Sequence, residues 1–196
     1  MKKLLLIIML VVLIIPNTSY AFSFSDLLWW RNNDNNEVVA VEELTSQQKL
    51  NAEDKLAMWL EAYSENDLSL VAANNEYTNI SVAELNYILQ EQLKKYSNPP
   101  IQDVKLSLKD NKFVLEGYAL KPIKGNAYIE VRIEAMEQQL YFHVTKARYK
   151  GLFIPGSLVG RLLFDQLEFL SDFFFSNDIK LQDIIVGDDN VEFVLE

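Results

Sequence analysis

Residues 151–175, GLFIPGSLVGRLLFDQLEFLSDFFF, are the stretch that most restricts what this chain can fold into. Its apolar content approaches that of a membrane span, yet it carries Arg161, Asp165, Glu168 and Asp172. Pro155 and Gly156 end the preceding extended segment, and Ser157 has the chemistry of an N-cap. Wound as an α-helix, the four charges fall within one arc of roughly 60°. The remaining circumference holds Leu158, Val159, Leu162, Leu163, Phe164, Leu167, Phe169, Leu170, Phe173, Phe174 and Phe175. At about 2 kcal/mol each, full burial of these side chains is worth roughly 20 kcal/mol gross. A flat sheet covers one side of a helix and captures about half of that. Something must therefore wrap this helix: a strongly curved sheet, a second helix, a bound lipid, a partner or the membrane. Insertion is disfavoured, because each charge in hydrocarbon costs several kcal/mol. Lying flat is disfavoured too, since three acids against one arginine are repelled by an anionic surface. Three readings stay open: a core helix under a curved sheet, a core helix that also lines a ligand groove, and a partner interface.

The charge balance narrows the partners. The chain of 196 residues has 18 basic against 28 acidic side chains, a net charge of -10. A surface that negative repels phosphate backbones, so nucleic acid is not an expected partner. There is no cysteine, which excludes disulfides, thiolate metal sites, a cysteine nucleophile and a lipidated-cysteine anchor. Stability must come from packing.

The N-terminus sets the compartment. Lys2 and Lys3 precede an unbroken apolar run from Leu4 to Ile15, closed by Pro16 and followed by Ser19-Tyr20-Ala21. That is the layout of a secretory signal cleaved after Ala21. A span takes about 20 apolar residues, more than this run supplies. The alternative is an uncleaved inner-membrane anchor, with Phe22, Phe24, Trp29 and Trp30 at the interface. Either way the expected location is outside the cytoplasmic membrane: periplasmic if cleaved, membrane-associated only if not. Residues 22–44 have the composition of a flexible tether, and 45–196 of a single α+β domain.

Within the domain, a first helix is expected from about Gln47 to Ser64, with Thr45 and Gln48 at capping-box spacing. Leu56, Trp59, Leu60 and Tyr63 share one face. Residues 65–79 read mainly as polar connection, with a short strand before Ile80. A second helix opens with the capping box Ser81-Val82-Ala83-Glu84 and ends at Asn98-Pro99-Pro100. Its stripe of Val82, Leu85, Leu89, Leu93 and Tyr96 needs only one buried side, so it is expected to lie on a surface. From Ile101 the period becomes two. Val104, Leu106 and Leu108 lead to a turn at Asp110-Asn111 and a returning strand from Phe113 to Leu120. Ile129, Val131 and Ile133 then precede a turn near Glu137, and Leu140, Phe142 and Val144 follow it. Tyr118, Tyr128, Tyr141 and Tyr149 fall on or near the opposite face. A last hairpin runs from Ile179 to Val186 and Val191 to Leu195. The expected fold is one curved antiparallel sheet of about six strands, a meander plus the last hairpin, wrapped around the helix at 157–175.

Catalytic chemistry finds little purchase. His143 is the single histidine, and no G-x-S-x-G elbow accompanies it. Asp188-Asp189-Asn190 lacks EF-hand spacing and suits a hairpin turn. No metal ligand set or cofactor motif is present in the pattern, and a non-enzymatic protein is the expectation. Lys146, Arg148, Lys150 and Arg161 form the densest basic group, flanking the loop that opens the apolar helix. Lys150 and Arg161 are thus candidates for an acidic headgroup. Leu152, Phe153, Leu163, Phe164 and Leu167 are candidates for an apolar ligand beside the helix.

The runs ISVAELNYILQEQL, VKLSLKDNKFVLEG and ARYKGLFIPGSLVGRLL, with the terminal acidic-turn hairpin, resemble a group of uncharacterised bacterial envelope proteins. The shared features are an "-ELN-" helix start, here Glu84-Leu85-Asn86, a strand hairpin, and a "G-x-x-x-P" turn, here Gly151 to Pro155. The likeness spans about residues 77 to 196 and leaves out the first helix and the tether. Some members resemble tubular lipid-binding (TULIP-like) domains, which implies a curved sheet around a long helix and an apolar or lipid ligand. The resemblance implies no catalytic residues. A plain envelope scaffold, with a dry core and a protein partner, is the alternative.

Overall fold

The computed structural model describes residues 44–95, 99, 101–120, 124–157, 159, 172–175 and 178–196. Four helices come first: α1 Ser46–Glu65, the single turns α2 Ser69–Ala72 and α3 Asn75–Thr78, and α4 Val82–Lys94. A short strand β1, Asn79–Ser81, separates α3 from α4. The strands β2 Ile101–Lys109, β3 Lys112–Ala119, β4 Gly125–Met136, β5 Gln139–Tyr149 and β6 Leu152–Phe153 follow as an antiparallel meander. β7 Leu181–Val186 and β8 Asn190–Leu195 close the chain.

The expected α+β class holds, with antiparallel strands throughout. The expected single sheet does not: among the described residues there are two, β2-β3-β4-β5-β6 and β1-β8-β7. The C-terminal hairpin leaves the meander because β1 offers it an edge, pairing Ile80 with Val191 and Ser81 with Asn190. Its turn also docks on α4, where the Val82 amide donates to the Asp189 carbonyl at 2.7 Å. That contact satisfies a first-turn donor that α4 cannot pair by itself. Much of the long apolar helix lies outside the described residues. On its flanks Gly156, Ser157, Val159 and residues 172–175 are helical.

Tight turns fix the meander. Asp110 and Asn111 have φ 52° and 57°, Glu137 and Gln138 have 51° and 60°, and Lys150 and Gly151 have 53° and 77°. Paired positive φ values give hairpin turns whose twist matches the flanking strands. Two of the three pairs contain no glycine, so sheet pairing must hold L-residues in the left-handed region.

Two apolar clusters share the interior. The first joins Ala52, Ile88, Leu89 and Leu93 of the helices to Ile101, Val104, Leu106, Leu115, Ile129, Val131, Ile133 and Ala147 of the meander. The second gathers Trp59, Ala62, Leu68, Val71, Ile80, Phe173, Phe174 and Leu181. Trp59 packs against Phe174 at 6.0 Å and Phe193 at 5.1 Å, and its indole N–H donates to the Tyr77 carbonyl at 2.8 Å. α1 contributes to both clusters, so it belongs to the same core as the strands. The 65–79 connection does as well: Leu68 and Val71 are fully buried, each 0% exposed. The run Leu68 to Ala73 is too short for a periodicity test to read.

Helix α4 buries polar side chains along with its stripe. Asn86, 3% exposed, accepts from the Leu106 amide and donates to the Leu106 carbonyl, both at 2.7 Å. Gln90 donates to the Val104 carbonyl. β2 is an edge strand, and these amides act in place of a further strand, satisfying backbone groups that would otherwise be buried and unpaired. Replacing Asn86→Ala orphans one donor and one acceptor, each worth about 1–3 kcal/mol when buried. Chemical denaturation should show a loss of about 2–4 kcal/mol, while Gln90→Ala, at a less buried position, should cost less.

Candidate functional site

The apolar face of the meander is closed unevenly. On β4, Ile129, Val131 and Ile133 are buried; on β5 only Ala147 is, while Leu140, Phe142 and Val144 stay half-buried. The alternation along β5 is broken by a bulge: Glu130 pairs with Lys146, but Val131 pairs with Val144. Thr145 is the extra residue, and beyond it the strand's parity reverses. Tyr149, expected on the polar face, consequently lies opposite Ala127 on the apolar side. Its hydroxyl is buried and has no hydrogen-bond partner among the described residues. Burial raises its pKa, and Tyr118 adds to the rise.

Past Tyr149 the chain turns at Lys150-Gly151, pairs briefly as β6, and crosses back over β5. The Ile154 amide donates to the Ala147 carbonyl at 2.8 Å. Gly156 then lies so close to β5 that an added Cβ would sit 2.6 Å from the Val144 carbonyl oxygen. The two glycines have different reasons to be there. Gly151 needs its φ of 77° but has open space, whereas Gly156 has an ordinary φ and no space. Gly151→Ala should therefore cost about 1 kcal/mol of backbone strain. Gly156→Ala must displace backbone and should lower the thermal midpoint by more than Gly151→Ala does.

The sequence-derived site residues separate on this frame. Leu152 is half-buried opposite Tyr149, on the apolar side. Phe153 pairs with Arg148 on the other side of the sheet and is 58% exposed. Successive residues of a strand face opposite ways, so the two do not share one surface. Lys150 is exposed in its turn, its amide donating to the Asn126 carbonyl at 2.8 Å and its aliphatic stem lying across Gly125. Arg161, Leu163, Phe164 and Leu167 lie outside the described residues. His143 is on the open sheet face, 3.4 Å from Glu134. Among the described residues no helix is long and apolar enough to cross a membrane, and no three His, Cys, Asp or Glu side chains converge as a metal site.

The most built polar group of the meander was not foreseen. Glu130 accepts from the Tyr128 hydroxyl and, at 3.3 Å, from Thr145, with Lys112 and Lys146 each 3.6 Å away. Lys146 also stands 5.0 Å over the Tyr128 ring. Burial by itself pushes the Glu130 carboxyl up, but Tyr128, Lys146, Lys112 and Thr145 together outweigh it and hold the carboxyl below the ordinary range. Burial and the bond to Glu130 raise the Tyr128 phenol, which stays a donor. An ionised carboxylate so fully engaged is a poor proton acceptor, and its role is to organise the cations around it. Only strand register brings Lys112, Glu130 and Lys146 side by side. A carboxyl whose folded pKa is depressed stabilises the fold above its unfolded pKa, and that contribution fades as pH falls through the folded value. Glu130→Gln should therefore cost about 1 kcal/mol at neutral pH. The gap to wild type should shrink on acidification below about pH 5, as followed by urea unfolding across pH.

No family model, no curated protein and no solved structure matches this chain.

Proposed function

We propose that this is a non-enzymatic protein of the bacterial cell envelope, exported through its N-terminal apolar segment. It holds an apolar ligand or lipid between the open edge of the meander's apolar face and the helix at 157–175. One observation carries the reading. The sheet's apolar face is buried at Ile129, Val131, Ile133 and Ala147 but half-buried at Leu140, Phe142, Val144 and Leu152, as it also is at Leu108 and Phe113. A hydroxyl with no partner among the described residues, that of Tyr149, lies beside the same edge. Leu140, Phe142 and Val144 pack against the core on one side; an apolar ligand would cover their remaining surface, and a polar atom on it would pair the hydroxyl. The excess apolar surface of the helix and the resemblance to envelope proteins support the same reading. In it the meander curves around the helix, and Leu163, Phe164 and Leu167 face the ligand from the helix side. Phe153, on the opposite side of the sheet, takes no part, and Lys150 and Arg161 are left for an acidic headgroup.

Native mass spectrometry of protein purified from its own host, followed by solvent extraction, should reveal a bound apolar molecule at near one-to-one ratio. Leu152→Arg, at a half-buried edge position, should lose it while keeping the fold. Repeated recovery of bare protein, with Tyr149→Phe raising stability by about 1 kcal/mol because an unpaired hydroxyl has gone, would sink the ligand and leave an envelope scaffold with a dry core.

A further inference from the structure

The other face of the meander has a character that the chain's overall charge conceals. Strand register lays its outward side chains in rows across the sheet. Lys109 stands directly opposite Lys112, and Arg132 directly opposite His143. Because Phe113 pairs with Val131, Lys112 and Arg132 are neighbours as well, so one row of Lys109, Lys112, Arg132 and His143 crosses four strands. A second row holds Lys105, Glu116, Tyr128 and Arg148, and ends at Phe153. Between the two rows, Lys146 stands beside Glu130. Over the whole face, Lys105, Lys109, Lys112, Arg132, Lys146 and Arg148 outnumber Glu116, Glu130 and Glu134 by six to three, on a chain of net charge -10.

Like charges set directly opposite each other weaken a sheet, and in this row Lys112 and Arg132 are offset by Glu130 at 3.6 Å and Glu134 at 2.6 Å. The acidity of the remaining surface does not cancel the row at a distance. Layers packed on a sheet lie about 10 Å away, and at physiological salt fields decay over about 8 Å. The face therefore acts with its own sign. α4 and the β7–β8 hairpin lie against the β2 edge and the apolar side.

We propose that this basic, aromatic-edged sheet face docks the protein on an anionic phospholipid surface. Several features favour a membrane over an acidic polypeptide. The face is broad, and it has an exposed phenylalanine, Phe153, at its edge strand. Tyr118 and Tyr128 stand nearby, and aromatic rings of this kind settle at the headgroup level. The domain also follows an N-terminal apolar run with its own basic flank, which brings it to a membrane at least during export. The proposal stands independently of any ligand at the β5–β6 edge.

The test compares the full chain on vesicles of mixed phosphatidylglycerol and phosphatidylcholine with the same chain on pure phosphatidylcholine. The N-terminal apolar run binds both, so the measured quantity is the preference for anionic vesicles in co-sedimentation. Each basic side chain at such a surface is worth about fivefold. Lys109→Gln, Lys112→Gln and Arg132→Gln combined should therefore cut the preference on the order of 100-fold, with far-UV circular dichroism unchanged. Phe153→Ser should reduce it severalfold, and Lys49→Gln, Lys94→Gln and Lys95→Gln combined, on the helices, should leave it intact. If the triple sheet variant loses its fold, Lys109→Gln alone, at an exposed position, should still lower the preference about fivefold. An unchanged preference in the sheet variants, an equal loss in the helix variant, or no preference in the wild type overturns the proposal. So does binding to soluble poly-glutamate without binding to anionic vesicles, which would make the partner an acidic polypeptide.

Discussion

The Glu84 carboxylate is the point on which the arrangement of this protein turns. It is 8% exposed and receives the Ser81 amide at 2.8 Å, the Ser81 hydroxyl at 2.9 Å and the Lys55 ammonium at 2.9 Å. Lys55 also donates to the Asn79 carbonyl at 2.8 Å. Three elements meet there: α1 through Lys55, α4 through its capping box, and β1 through Asn79 and Ser81. A buried carboxylate is costly unless each of its lone pairs is met, and here the donors surround it. By holding β1 at the start of α4, this group creates the edge that β8 pairs with, and so it decides that the C-terminal hairpin forms a second sheet.

The consequences run outward from that split. Once the hairpin pairs with β1, Phe193 of β8 meets Trp59 and Phe174, and an aromatic cluster forms on which Leu140 and Phe142 of β5 also pack. The meander keeps its apolar face for α1, α4 and the segment that begins at Gly156. α4 serves twice, because its apolar stripe covers this face while Asn86 and Gln90 close the β2 edge. The opposite edge has only the two residues of β6, and there the covering thins.

The two sides of the meander then divide the surface chemistry. The apolar side ends at half-covered residues and a hydroxyl without a partner among the described residues, while the outer side gathers basic groups around the carboxylates of Glu130 and Glu134. The bulge at Thr145 is the hinge between the two patterns: without it Lys146 and Arg148 would keep the alternation of Leu140 and Phe142 on the apolar side. One extra residue therefore sends two cations outward and brings Tyr149 inward.

Local signals were enough for part of this. Both capping boxes, the stripe of α4, the period-two strands and the turns at Asp110-Asn111 and Glu137 were legible because each depends on residues close together in sequence. The candidate site was legible only in part. Leu152 was found at the apolar edge, but its neighbour Phe153 turned away, as a strand requires and a contiguous apolar word does not reveal. Tyr149, the Glu130 group, the Asn86 clamp and the basic row from Lys109 to His143 could not be read beforehand. Each is made by register between strands or by contact between distant segments, and register depends on bulges that carry no signature of their own. The sequence by itself determined the elements, their turns and the α+β class, since propensity, capping and periodicity act over a few residues. Only the tertiary structure decided that there are two sheets, which edges are closed and which face is basic, since those follow from long-range pairing and from where buried polar groups find partners.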